Sequence, residues 1–317
     1  IFTVLDILLF YISFEGILFP LYYLIGFWGS RSRKIFAAFQ FFLYTIFGSI
    51  FMLLSIVIIF IKTGTTCLID LLYYQFSKEL EFFFWLSFFF AFSVKIPIVP
   101  FHLWLTEAHV EAPTSGSVLL AGIILKIGGY GILKFLLPIF PVSSIFFTPL
   151  VYIVSFFGII YGCFAVLRQS DLKRIIAYSS VVHMNYGTLG LFSDNILGIE
   201  GSIFVMLSHG IVSSGLFLFI GFLYDRFGTR IIFYYGGLVQ IMPKFSIFFF
   251  LFSLANIGFP GTSGFIGEFL IMLGMFFNNF FLIFFCFLGS ILTSVYSFWL
   301  YNRVFFGFIS NFAVKNF

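Results

Sequence analysis

The sequence predicts an all-α, polytopic transmembrane helical bundle of about nine spans, and three observations carry that prediction. The chain is 62% hydrophobic with only 9% charged residues and a mean hydropathy of +1.15, too apolar for a domain that must cover itself with polar surface. Uninterrupted apolar runs of about 20 residues or more, the length that crosses a hydrocarbon core, recur along the whole chain. These runs are apolar on every side, whereas barrel strands would alternate over about ten residues. Backbone groups in lipid are satisfied only inside a helix or a closed barrel, so helices are the reading that remains.

The spans fall roughly at 5–28, 35–61, 81–104, 113–137, 145–167, 175–193, 201–223, 245–276 and 282–302. The third holds Pro97 and Pro100, and the eighth holds Gly258, Pro260, Gly261 and Gly264. Proline removes a backbone donor and clashes with the preceding turn, so both spans are expected to be interrupted. The two interruptions are five spans apart. Five is odd, so a second copy of the same unit would lie upside down, the inverted-repeat arrangement with broken helices found in transporters. We divide the chain accordingly into 1–138 and 139–317. Eleven of the 16 basic residues lie in the loops after the odd-numbered spans: Arg31, Arg33, Lys34, Arg168, Lys173, Arg174, Arg226, Arg230, Lys244, Arg303 and Lys315. By the positive-inside rule that face should meet the matrix or cytoplasm.

Several classes are excluded. The three cysteines, Cys67, Cys163 and Cys286, stand far apart, with no CxxC or Cys/His metal spacing. No strand followed by a glycine-rich loop is present to cradle a nucleotide, and the basic residues form no nucleic-acid patch. No cofactor and no metal are expected. Residues 1–28 contain Asp6 and Glu15, lack a basic start and are followed by further spans, which is unlike a signal peptide. The chain opens in apolar sequence without Met, so further residues upstream are expected. The 56 phenylalanines exceed what folding demands; an AT-rich genome such as a mitochondrial one would enrich their codons.

Four charged residues sit inside spans: Glu15, Lys95, Lys126 and Glu268. A charge at mid-bilayer costs about 2.5–3.5 kcal/mol on insertion scales, so such residues face a bundle interior or a wet cavity. Lys95 precedes Pro97 by two residues, where a broken helix frees carbonyls that it would cap. Lys126 lies among Gly128, Gly129 and Gly131, too deep to snorkel. Lys134, nearer the span end, is expected to snorkel. Glu268 follows Pro260 by eight residues. His183 and His209 occupy consecutive antiparallel helices; proton relay, ligation of one haem by two histidines, and neutral interhelical hydrogen bonding are all open to them. His102, Glu107, His109 and Glu111 mark the exit of the third span and have the residue types of a metal site or of loop anchoring. Asp171, Lys173 and Arg174 read as a solvated loop. Acid, base, base, imidazole and acid along one bundle are what proton transfer by coupled pKa shifts requires.

The same residues carry a resemblance. AFSVKIPIVPFHLWLTEAHVEAPTSGSVLLAGIILKIGGYGILKF (91–135), LRQSDLKRIIAYSSVVHMNYG (167–187), SHGIVSSGLFLFIGFLYDR (208–226), ANIGFPGTSGFIGEF (255–269) and YSFWLYNRVFFG (296–307) closely resemble the antiporter-like membrane-arm subunits of respiratory complex I, of the NADH dehydrogenase subunit 4 type. The resemblance implies two inverted five-helix repeats, Glu15 and Lys95 as a coupled pair, Lys126 as central relay, His183 and His209 along a polar axis, and Glu268 as the terminal proton site. An acid at Glu268 is the subunit 4 pattern; subunits 2 and 5 typically have lysine there. It also implies other membrane-arm subunits as partners, among them neighbouring antiporter-like ones, lipid contact, and the mitochondrial inner membrane with the basic loops toward the matrix. Leu105-Thr106 replaces the family's usual Leu-Pro. The family has about fourteen helices, of which the first three or four and the last are lacking here. A subunit of a multisubunit cation/proton antiporter, and a scaffold that has lost transport, are the competing readings.

Overall fold

The computed structural model describes residues 1–278 and 280–309. Helices α1 (Ile7–Gly16) and α2 (Leu18–Trp28) join through Ile17, itself helical, into one rod. Asp6 caps that rod by accepting from the backbone N–H groups of Leu8 and Leu9, and its other oxygen accepts from the Thr66 hydroxyl at 2.6 Å. α3 (Lys34–Thr63) ends on Gly64 at φ 75°, and a short α4 (Leu68–Tyr73), which the hydropathy pattern does not announce, follows it.

α5 (Lys78–Lys95) stops at Lys95, immediately before Ile96-Pro97, and the chain re-forms as α6 (Leu103–Glu111). The interrupted span therefore continues past the expected end at 104. Thr106, Glu107, His109 and Glu111 dilute its hydropathy, but packing against α3 and against the later helix α11 (Leu172–Leu191) keeps it helical. The rod Thr114–Ile139 is α7 (Thr114–Leu119), a π-turn at Leu120–Ile124, α8 (Leu125–Gly131), a second π-turn at Ile132–Leu136, and α9 (Leu137–Ile139). α10 (Pro141–Arg168) starts with proline in its first turn, where no backbone donor is lost. Asp171 caps α11, and Asn195 caps α12 (Ile196–Phe227), which ends on Gly228 at φ 70°. After α13 (Leu238–Ile241), α14 (Pro243–Ile257) and α15 (Ser263–Asn278) form the second interrupted span, broken at Gly258–Thr262, and α16 is Phe280–Phe305.

The observed helices overlap each of the expected spans. Six helical rods are long and apolar enough to cross a membrane by length and composition: Ile7–Trp28, Lys34–Thr63, Thr114–Ile139, Pro141–Arg168, Ile196–Phe227 and Phe280–Phe305. α5 and α11 fall short on that measure for different reasons. α5 carries Lys78, Glu79, Glu81 and Lys95. α11 is the central helix: every residue in it except Arg174 is buried, walled by α6, α10, α12 and α15. A helix with no lipid-facing stripe has no need of all-round hydrophobicity, which is why Ser179, Ser180, His183, Asn185 and Thr188 are found there.

The loops after the odd-numbered spans meet at one end of the bundle. Ser30 N–H donates to the Glu111 carbonyl at 3.0 Å, Leu172 N–H to the Arg230 carbonyl at 2.9 Å, and Ile232 N–H to the Ser170 carbonyl at 2.9 Å. Ion pairs Arg31–Asp171, Arg33–Glu107 and Arg174–Glu107, at 3.5, 3.6 and 2.6 Å, tie the same end. Lys315, counted with these basic loops, lies outside the described residues.

Candidate functional site

The bundle interior gathers Lys126, His209, His183 and Glu268 from four different rods into one buried row. Lys126 leaves α8 just after the π-turn. Its ammonium donates to the Ala121 carbonyl inside that turn and lies 2.8 Å from His209 Nδ1 on α12. A π-turn shifts the helical hydrogen-bond register, and here a carbonyl of that turn accepts from the lysine. The His209 and His183 rings are 5.8 Å apart, centre to centre. His183 Nδ1 lies 3.3 Å from Glu268 Oε1 on α15. A small cavity beside the two rings is lined by Ser208, Asn256, Gly264 and Glu268 with them. All four ionisable groups are buried.

Magnitudes explain what such a row can do. Holding a charged lysine at this depth costs about 2.5–3.5 kcal/mol, and a hydrogen bond to a charged group returns about 1.5–3 kcal/mol. The two nearly cancel. The contact with His209 thus offsets much of the cost of keeping Lys126 charged at this depth. With Nδ1 accepting, the His209 proton sits on Nε2, a buried atom with no hydrogen-bond partner in the protein.

The break between α14 and α15 serves Glu268 directly. Gly258 sits at φ +77°, and a Cβ there would lie 2.8 Å from Glu268 Oε2. Only glycine both adopts that conformation freely and leaves room for the carboxylate. A second close approach joins the two halves of the row. A Cβ on Gly128 would come 2.6 Å from Ile96 Cγ1 and 3.2 Å from Lys95 Cβ, so α8 seats directly on the end of α5.

Lys95 is buried, with its ammonium 4.5 Å from the centre of the Phe14 ring and 5.9 Å from that of Phe41. Cation–π contact of this kind offsets part of the cost of burial. Glu15 is half-buried on the neighbouring α1 and lies within electrostatic range of Lys95 and hydrogen-bonding reach of Ser49. Among the described residues the two charges form no direct ion pair within 4 Å. The expected pair is therefore a coupling across a gap, with aromatic rings beside the lysine.

The remaining candidates separate. His102 packs on the rings of Tyr161 and Tyr178, Glu107 takes Arg33 and Arg174, His109 stacks on Phe217 at 4.5 Å, and Glu111 is buried in the loop end. No three metal-ligating side chains converge among the described residues. Lys134 is half-buried, donating to the Val4 carbonyl at 2.8 Å and the Tyr130 hydroxyl at 2.6 Å.

The structure corrects one reading outright. Asp171 and Lys173 are buried rather than solvated. Lys173 Nζ donates to the Ala112 carbonyl at 2.9 Å, and Arg230, also buried, donates to the Val110 carbonyl and the Ser30 hydroxyl. Three successive carbonyls at the end of α6 are thus satisfied from distant loops. Glu81 was also missed: buried at the start of α5, it accepts from the Ser143 N–H at 3.0 Å and caps α10. Nothing in local sequence distinguishes these charges from exposed ones, because their partners are 60 or more residues away.

The chain matches the profile of the NADH:quinone oxidoreductase/Mrp antiporter transmembrane family over residues 5–293. It belongs to that family. NADH-ubiquinone oxidoreductase chain 4 of Chondrus crispus is 60% identical over 307 residues, covering 97% of this chain. The chain spans 62% of the length of that relative. A subunit in the structure of respiratory complex I from Thermus thermophilus superposes with a TM-score of 0.91 at 30% identity, over 99% of this chain and 70% of its own. A subunit of the Mrp complex from Dietzia sp. DQ12-45-1b superposes with a TM-score of 0.87 at 23% identity, over 96% of this chain and 58% of its own, a likeness of fold.

Proposed function

We propose that this chain is a proton-translocating, antiporter-like subunit of the membrane arm of NADH:ubiquinone oxidoreductase. It sits in the mitochondrial inner membrane beside other antiporter-like subunits, with its basic loops toward the matrix. Redox chemistry takes place elsewhere in that assembly, and this chain contributes a proton path. Residues 1–138 and 139–317 act as two inverted units, with Lys126 of the first meeting His209 of the second.

The observation that carries the reading is the buried row Lys126–His209–His183–Glu268, with Lys95 and Glu15 at its other end. A proton on Lys126 passes to His209 Nδ1 at 2.8 Å. It continues through the gap between the imidazoles and reaches the Glu268 carboxylate from His183. Loss of charge near Lys95, by withdrawal or neutralisation of Glu15, makes the lysine a better proton donor to Lys126. Identity of 60% to a protein named as chain 4 of this oxidoreductase supports the assembly.

The deciding experiment replaces Lys126 with Met in the assembled complex reconstituted in vesicles. Proton uptake per quinone reduced should collapse while assembly persists. Normal coupled pumping in Lys126→Met would favour a scaffold that has lost transport. A chain purifying without quinone-reducing partners would favour a cation/proton antiporter.

A further inference from the structure

We propose that the groove between α10 and α16 is a binding site for one phospholipid with an ammonium head, phosphatidylethanolamine by its chemistry, in the leaflet away from the gathered basic loops. The inference goes beyond the proton path and does not depend on it.

The groove has a volume of about 930 Å³. Its walls are apolar, with Ile153, Phe156, Phe157 and Ile160 on α10 and Leu282 and Phe285 on α16. Thr148, Tyr152, Asp194 and Asn278 give it a polar rim at one end. α10 starts near that rim and ends at Arg168 among the basic loops, so the rim belongs to the other leaflet. From Thr148 to Ile160 the helix rises ~18 Å, a little over half of a hydrocarbon core ~30 Å thick. A partner's transmembrane helix needs a groove that crosses the whole core. One that stops near the middle, polar at its mouth and apolar below, has the depth of an acyl chain in one leaflet. A smaller hollow of about 150 Å³ adjoins it, shares Thr148 and Asp194 and adds Ser144. It gives room for a head group beside the chains.

The chemistry of that head follows from what the rim still offers. The Tyr152 hydroxyl donates to the Phe192 carbonyl at 2.8 Å, Thr148 to the Ser144 carbonyl at 2.7 Å and Ser144 to the Phe140 carbonyl at 2.7 Å. The Asn278 amide donates to the Ser193 carbonyl and to the Tyr152 hydroxyl. These side-chain donors are spent within the protein, and acceptors remain. Pro149, inside α10, adds one by leaving the Ile145 carbonyl without its helical donor. Asp194 is the one charged residue lining either hollow. It is exposed, and among the described residues no basic side chain lies within 4 Å of it. An anionic head would meet an acid and no spare side-chain donor. Choline is cationic but has no N–H to give. An ethanolamine ammonium supplies both the charge and the donors.

The test uses the assembled complex in vesicles doped with photoactivatable phosphatidylethanolamine, phosphatidylcholine or phosphatidylglycerol of the same acyl chain, with labelled residues mapped by mass spectrometry. The ethanolamine lipid should label residues 153–160 and 282–285. Asp194→Asn should lower that labelling about tenfold, the weight of one lost charge-assisted hydrogen bond. Asparagine tolerates the φ of 52° at this position, so the fold is kept. Ile153→Trp, which fills the groove from an exposed position, should abolish the labelling there and leave it unchanged elsewhere on the complex. Equal labelling by all three lipids, unmoved by Asp194→Asn, would overturn head-group recognition and leave an ordinary lipid-facing surface. Absence of groove labelling in the wild type, as a protein segment seated there would produce, would overturn the site itself. Contact is read directly, so failure here leaves the proton path standing, and normal pumping in Lys126→Met leaves the groove standing.

Discussion

At the scale of single residues, the half-buried carboxylate is the informative one. Glu15 lies within electrostatic range of Lys95 without touching it, so its influence is a field rather than a bond. Replacing it with glutamine removes the field and keeps the shape. Glu15→Gln should sharply reduce proton-coupled quinone reduction in the assembled complex while sparing assembly; unchanged turnover and unchanged protons per electron pair would contradict this. The aromatic neighbours of Lys95 explain how the lysine survives burial beside so distant a counter-charge. The costly residues Glu15, Lys95, Lys126, His183, His209 and Glu268 could be picked from sequence, because an ionisable group in an apolar run stands out against its neighbours. Lys173, Glu81 and Arg230 could not. They sit in stretches that look like loop or helix start, and only the return of Ala112, Ser143 and Val110 in space buries them.

At the scale of elements, the breaks matter more than the helices. Proline and glycine marked both interruptions in advance, and the structure puts Lys95 at one and Glu268 against the other. The two π-turns flanking α8 were not foreseen, although Gly122 lies in the first and Pro138 follows the second by two residues. Two glycines at the second break allow a controlled test. Gly258 and Gly261 both lie at positive φ, +77° and +98°, but only at Gly258 would a Cβ meet the Glu268 carboxylate; at Gly261 it meets nothing within 4 Å. Alanine at either costs on the order of 1–3 kcal/mol of backbone strain. Gly258→Ala should lose both thermal stability and pumping, and Gly261→Ala stability alone. Equal loss of pumping in both would show that strain, not displacement of Glu268, is responsible.

At the scale of the whole molecule, charge asymmetry and connectivity agree on two ends. Lys62 closes α3 and Lys244 opens α14; both are exposed, and an odd number of spans separates them. Cysteines placed at 62 and 244 should react with a membrane-impermeant maleimide from opposite sides, position 244 from the matrix side. Labelling of both from one side would refute the proposed orientation. Native Cys163 and Cys286 are buried, and the partly exposed Cys67, on the same side as position 62, is replaced by serine in the labelling background.

The enclosure of α11 has a consequence of its own. Bilayers differ in thickness, and a transmembrane helix answers mismatch by tilting, kinking or deforming the lipid around it. A helix that meets no acyl chain receives none of that force directly. Thinner or thicker membranes would press first on the outer rods α3, α10, α12 and α16, whose exposed leucines, isoleucines and phenylalanines form the perimeter, while His183 on its sheltered axle keeps its spacing from Glu268 and His209.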